Sequence, residues 1–249
     1  MTKYEALIFD IDGAAILTRF DARPSNGVID AVKKAQRIVK VSAATGRSMP
    51  HARRILSDLA LTDPCIVSGG TQIIDPTTEE TLWEKRLTQE QVQNVVDIFT
   101  TYPYGIGFSD EVKSTPAKDK KVTGSERIIY VWALKRRAAE DFQRKLNQIE
   151  GVAAHIAGSW TKGRVDIHVT NALATKKNAI EKLIEILDIE KENIIGVGDS
   201  DNDLPLFESV GYKVAMGNAT DRLKNAADYI APSVDEDGLV NVIDRFILK

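Results

Sequence analysis

The chain has 249 residues, 43% hydrophobic and 28% charged, a balance that excludes a disordered tail, a fibrous repeat and a disulfide-stapled mini-protein. Lys and Arg total 33 against 36 Asp and Glu, a formal net charge of −3, so the basic excess expected of a nucleic-acid binder is missing. Cys65 has no second cysteine to pair with, no apolar run approaches the ~20 residues that span a bilayer, and Glu5 and Asp10 interrupt the opening apolar stretch. These features predict a cytoplasmic protein with no membrane and no nucleic-acid partner.

In chain order, residues 5–10 (EALIFD) read as a buried strand ending at Asp10. Residues 25–38 carry Val28, Ala31, Val32, Ala35 and Ile38 at helical spacing. A strand at 39–44, a helix at 49–60 and a strand at 65–68 follow. This cadence predicts a parallel, doubly wound, Rossmann-like sheet. Past residue 80 the pattern changes to helix 88–101, strands 104–109 and 126–134, helix 136–149, and strands 152–157 and 163–169. Two αββ units in series predict a small antiparallel sheet with helices on one face, inserted into the first fold. Between the inserted domain's first two strands, residues 113–126 hold four lysines and read as a solvated loop. The parallel pattern returns with helix 176–187, strand 193–198, a short helix at 204–210 and strands at 212–215 and 228–230. The division expected is a core of residues 1–81 and 167–249 around an insert of residues 82–166.

Four short motifs fall at strand ends or helix starts. Asp10-Ile11-Asp12-Gly13 puts two carboxylates at the carboxyl edge of the first strand, where open parallel sheets bind ligands. Alternation points both the same way, and a cation would relieve their repulsion; Asp12-Gly13 as a plain turn is the competing reading. Gly198-Asp199-Ser200-Asp201-Asn202-Asp203 offers hard oxygen ligands suited to Mg²⁺, and it lacks the Glu and central Gly of an EF-hand calcium loop. An Asx-rich turn capping the next helix is its alternative. Ala44-Thr45-Gly46-Arg47-Ser48 supplies a hydroxyl, an open backbone and an Arg for a phosphate, or else simply a helix cap. Lys176-Lys177 opens a helix at the end where its dipole disfavours cations. Together the four read as a metal site with a nucleophile beside an anion site.

The order FDIDG, ATGR, Lys, GDSDND resembles the haloacid dehalogenase superfamily of phosphohydrolases. VAMGNA at 214–219, AADYI at 226–230 and DEDGLVNVI at 235–243 resemble its Cof-type branch. The resemblance implies an α/β fold: a Rossmann-like core with an inserted α+β cap of αββαββ order. It implies Asp10 as nucleophile, Asp12 as general acid/base, and Thr45 and Lys176 as catalytic holders of the phosphoryl group. Gly46, Arg47 and Asn202 join them in binding phosphate or substrate, and Asp10, Asp12, Asp199 and Asp203 hold Mg²⁺. The expected partner is a small phosphorylated metabolite, a sugar phosphate or something like phosphoglycolate, and the expected assembly is a monomer or homodimer. Hydrolysis would run through a phosphoaspartyl intermediate. A phosphomutase and a catalytically silent binding module are the alternatives. Arg86, Lys113, Arg127, Trp160, Lys162 and Arg164 are candidate contacts to the leaving group. Ala14-Ala15, Lys177 and Gly69-Gly70 depart from the common family pattern. His168, eight residues before Lys176, stands where Cof-type relatives often carry Glu and archaeal phosphoglycolate-phosphatase-like relatives carry His.

Overall fold

The computed structural model describes residues 2–109, 111, 113–124, 126–159 and 161–249, so Trp160 lies outside the described residues. The parallel sheet is built from β1 (Ala6–Phe9), β2 (Lys40–Ala43), β11 (Ile194–Gly198), β12 (Tyr212–Ala215) and β13 (Tyr229–Ile230), in the order β13-β12-β11-β1-β2. Strand β11 is central, and β1 lies between it and the edge strand β2. The side chains of β1 alternate between two buried faces, as expected of a sheet covered on both sides. Leu7 and Phe9 join the cluster formed with α1 (Asn26–Ala35), α2 (Met49–Asp58) and α8 (Gly238–Phe246). Ala6 and Ile8 join the cluster formed with α5 (Lys176–Leu187) and α6 (Leu204–Ser209). Helix α7 (Asp221–Asn225) caps one corner, where Leu223 packs on Phe207 and Ala215.

The helix starts follow from local chemistry. Ser25 accepts from the Val28 amide at the start of α1, and Thr175 accepts from the Asn178 amide at the start of α5. Helix α1 stops at Ala35, three residues short of the predicted end, because the chain must turn into β2; Ile38 is left exposed.

The third predicted strand, β3 (Cys65–Val67), meets the parallel sheet through a single bridge from Ile66 to Ala44 and a hydrogen bond from the Ala43 amide to the Cys65 sulfur. It pairs instead with β4 (Gln72–Ile74), which pairs with β5 (Thr81–Glu84), an antiparallel sheet that the strand–helix cadence does not predict.

The inserted α+β cap has its own sheet. Helix α3 (Gln89–Phe99), capped by a reciprocal Thr88–Gln91 box, precedes β6 (Gly105–Phe108). The lysine-rich segment is only partly a loop: Thr115–Pro116 forms the short edge strand β7, and Ala117 is buried against α3. Then come β8 (Ile128–Leu134), α4 (Arg136–Leu146), β9 (Val152–Gly158) and β10 (Val165–Asn171), giving the antiparallel order β7-β6-β8-β10-β9. Ile106, Phe108, Ile129, Val131, Val152, Ala154, Val165, Ile167 and Val169 face the two helices and share one apolar cluster with Val92, Val96, Phe99, Phe142 and Leu146. The cap's last strand runs on to Asn171. Among the described residues no helix is long and apolar enough to cross a membrane.

The ring of Phe142 packs 4.7 Å from Phe99 and 4.8 Å from Tyr102. Phe142→Ala is therefore expected to cost about 3–5 kcal/mol of stability in that cluster. Hydrogen exchange checks it: the Val131 and Val169 amides should exchange faster, while those of Ile8 and Val197 in the parallel sheet keep their protection.

Candidate active site

Register places the site. Phe9 is aligned with Ala43 on one side and with Val197 on the other, so the residues after β1, β2 and β11 emerge together at one sheet edge. These are Asp10, Ala44-Thr45 and Gly198-Asp199. Lys176 arrives from the start of α5, on the face carrying Ala6 and Ile8.

The Lys176 ammonium donates to Asp10 Oδ1 at 2.9 Å and to Asp203 Oδ1 at 2.6 Å. All three side chains are nearly or fully buried. The other carboxylate oxygen of Asp203, Oδ2, accepts from the backbone amides of Asp199 and Ser200, at 3.0 and 3.1 Å. The Asx-rich motif is thus a turn and a charged site at once, with Asp203 fastening the loop that presents Asp199. Its reciprocal partner is the Ser200 hydroxyl in a capping box.

Asp10, Asp199 and Asp203 each offer a carboxylate oxygen within 4.8 Å of the others. Burial drives the Asp10 carboxyl well above its ordinary range, Asp203 and Asp199 push it further, and Lys176 pulls it back. Burial and then Asp203 push Asp199 up to about 7, again against Lys176. Burial alone would lower the Lys176 ammonium, but Asp10 and Asp203 outweigh it and hold the group above the usual lysine range. One buried cation among three acids leaves excess negative charge, and the donors are hard oxygens. That donor set fits a divalent metal ion.

Asp12 goes elsewhere. Its carboxylate takes a fork from Arg47, Nε to Oδ2 at 2.7 Å and Nη2 to Oδ1 at 2.6 Å. The same guanidinium donates to the carbonyls of Arg19 and Phe20, at 3.0 and 3.2 Å. Asp10 and Asp12 therefore sit on different partners, one on a lysine of α5 and one on an arginine before α2, and this is invisible in the DxD spacing. The sequence groups Arg47 with the phosphate ligands; the structure commits its guanidinium to Asp12 and to the segment after it.

Thr45 is buried, and its hydroxyl accepts from the Arg47 amide at 3.1 Å. Beside it a Cβ on Gly46 would meet nothing within 4 Å, so the backbone there is open to an approaching group. Asn202 is exposed and accepts from the Ser200 hydroxyl. Helix α2 begins after Ser48, not Thr45, which leaves Thr45 outside the cap.

One residue of the VAMGNA stretch, Asn218, has a structural part that its motif does not announce. Its amide donates to the Gly13 carbonyl at 2.9 Å and to Asp199 Oδ2 at 3.4 Å, and its oxygen accepts from the Val234 amide. Gly13 has φ +85°, and a Cβ on it would collide with Asp199 Oδ2, so a bare residue is required there for the first and last acidic motifs to touch. An amide side chain shortly after an inward strand is the only signal the sequence offers for Asn218.

The profile of the haloacid dehalogenase-like hydrolase family matches residues 7–243. The chain belongs to this family. It is a Cof-type member and a phosphoric monoester hydrolase. It is 27% identical over 252 residues to phosphoglycolate phosphatase 1 of Saccharolobus solfataricus, covering 97% of this chain and 95% of that one. Over 87 residues it is 38% identical to the 5-amino-6-(5-phospho-D-ribitylamino)uracil phosphatase YwtE of Bacillus subtilis, covering 35% of this chain and 30% of the relative. A haloacid dehalogenase-like hydrolase from Bacteroides thetaiotaomicron shares the fold with a TM-score of 0.81 at 19% identity, covering 97% and 99% of the two chains.

Arg47→Ala leaves the Asp12 carboxylate and two carbonyls without their donor, so it is expected to cost about 2 kcal/mol, read by urea denaturation. Asp10 and Asp199 have native carboxyls raised above their unfolded values, so the native state holds more protons between about pH 4 and 7. Metal-free protein should therefore lose stability as pH rises through that window. Excess Mg²⁺ should raise the melting temperature more at about pH 7.5 than at about pH 5, because the cation favours the ionised carboxylates. Equal shifts at both pH values would contradict an acidic pocket of this kind.

Proposed function

We propose that this hydrolase cleaves a small phosphorylated metabolite through a phosphoaspartyl intermediate on Asp10, with Mg²⁺ as cofactor. The observation that carries the reading is the Lys176 ammonium shared by Asp10 and Asp203, with Asp199 in reach of both. Sugar phosphates and phosphoglycolate-like esters are the starting classes. Relatives named for phosphoglycolate and for a ribityl-linked uracil phosphate support a small, soluble ester.

Asp10, Asp199 and the backbone carbonyl of Asp12 would hold the metal, and Asp203 would keep Asp199 and Lys176 in place. When bound, Mg²⁺ supplies positive charge that offsets the repulsion between an anionic nucleophile and an anionic ester. The Asp10 carboxylate attacks phosphorus in line with the leaving oxygen. Lys176 and Thr45, with the open Gly46 backbone beside them, hold the equatorial oxygens where charge gathers. Asp12 hands a proton to the leaving oxygen and later takes one from the water that releases phosphate. For that, one of its oxygens must leave the Arg47 fork, so Arg47 acts as the positioning residue for the acid. Residues 82–166, proposed as the specificity domain, would cover the leaving group and limit water during the first step.

The two aspartates should separate on substitution. Asp10→Asn removes the nucleophile, so intact-protein mass spectrometry after mixing with an aryl phosphate and Mg²⁺ should find no phosphoryl adduct. Asp12→Asn keeps the nucleophile, and a good leaving group needs little protonation. It should accumulate the adduct while turnover falls about 100- to 10,000-fold. An adduct on Asp10→Asn would sink the assignment.

A further inference from the structure

The cap's second face, away from α3 and α4, carries a row of aromatic rings. Register aligns Gly107 with Tyr130, Tyr130 with His168, and His168 with His155, one rung across four strands. Residues two apart share a face, so Trp132 stands beside Tyr130. The two rings are stacked, 5.6 Å between centroids and 10° between planes. The His168 ring meets Tyr130 edge-on at 4.9 Å. A Cβ on Gly107 would collide with the Trp132 indole, so only a residue with no side chain lets the indole lie along the sheet surface.

This face points at the catalytic edge. His168 Nδ1 is 4.0 Å from the place a Gly69 Cβ would occupy, and the Gly69 amide donates to the Thr45 carbonyl. The row is also uncharged at neutral pH. Burial, then His155, lowers the His168 imidazolium to about 4, and burial lowers that of His155. The buried Asp166 carboxylate, on the same face, accepts from the Ala133 amide at the kink after Trp132. A carboxylate such as that of glycolate would find no counter-charge along this rung. A flat ring would find the half-buried Trp132 indole to stack on.

We propose that the half-buried Trp132 indole, braced by the buried Tyr130 ring and flanked by His168, is the stacking surface for the leaving group, and that the preferred substrate is a phosphomonoester whose small sugar or polyol arm carries a planar heteroaromatic ring. This rests on the phosphatase reading above and narrows its substrate class. An indole ring already held against a neighbouring phenol binds such groups by offset stacking with little loss of side-chain freedom.

The test uses the full chain with Mg²⁺ and four esters: uridine 5′-monophosphate, flavin mononucleotide, 2-phosphoglycolate and glucose 6-phosphate. Wild type should show kcat/KM about tenfold or more higher for the better ring-bearing ester than for either ring-free one. Trp132→Leu should cut that ratio about tenfold, mainly through KM, and Trp132→Phe, which keeps a flat ring, should restore most of it. A preference for a ring-free ester would overturn the inference and leave the phosphatase reading standing, as would equal ratios in wild type and Trp132→Leu. A ratio in Trp132→Phe as low as in Trp132→Leu would overturn stacking as the cause. Release of phosphate from none of the four, nor from p-nitrophenyl phosphate, would overturn both.

Discussion

The Lys176 ammonium is the contact on which the site depends. It is a buried cation held by two buried carboxylates, one from the first strand's edge and one from the loop after β11. Removing either partner of such a group leaves an uncompensated charge in a poorly solvating place, so the three residues stand or fall together. The lysine also explains its own awkward position. At the first turn of α5 it opposes the helix dipole by tenths of a kcal/mol, an effect that two adjacent carboxylates far exceed.

A second ion pair divides the labour of the DxD motif. Lys176 serves Asp10, and Arg47 serves Asp12 through a fork that also ties down the carbonyls of Arg19 and Phe20. Two acids so close in sequence would otherwise compete for one environment. With separate partners they are free to take the different chemical parts proposed for them, a nucleophile and a proton carrier. Asn218 and Asp203 hold the frame: one joins the Gly13 carbonyl to Asp199, and the other ties the Asp199 and Ser200 amides to the lysine.

The inserted sheet has two faces with different duties. One is aliphatic and phenylalanine-rich and is satisfied by α3 and α4. The other is aromatic and weakly polar, and it meets the core at Gly69. In a sheet of period two, a single strand such as β8 supplies both, Ile129 and Val131 inward and Tyr130 and Trp132 outward.

Much of this was legible in the sequence by itself. Strand–helix cadence and apolar spacing determined the doubly wound core and the αββαββ insert, and the motifs at strand ends marked Asp10, Asp12, Thr45, Lys176, Asp199 and Asp203 as candidates. These rest on local periodicity and on turn chemistry, which neighbouring residues decide. Tertiary structure alone decided which carboxylate meets which cation, because Arg47 and Lys176 lie 35 and 166 positions from their aspartates. It also decided that β3 leaves the parallel sheet for a hairpin with β4, that Ala117 in a lysine-rich stretch is core, and that Asn218 closes the site. Short strands carry too few residues to declare their partner. A side chain's partner across the fold depends on register, set when strands from distant parts of the chain align their ends at one edge.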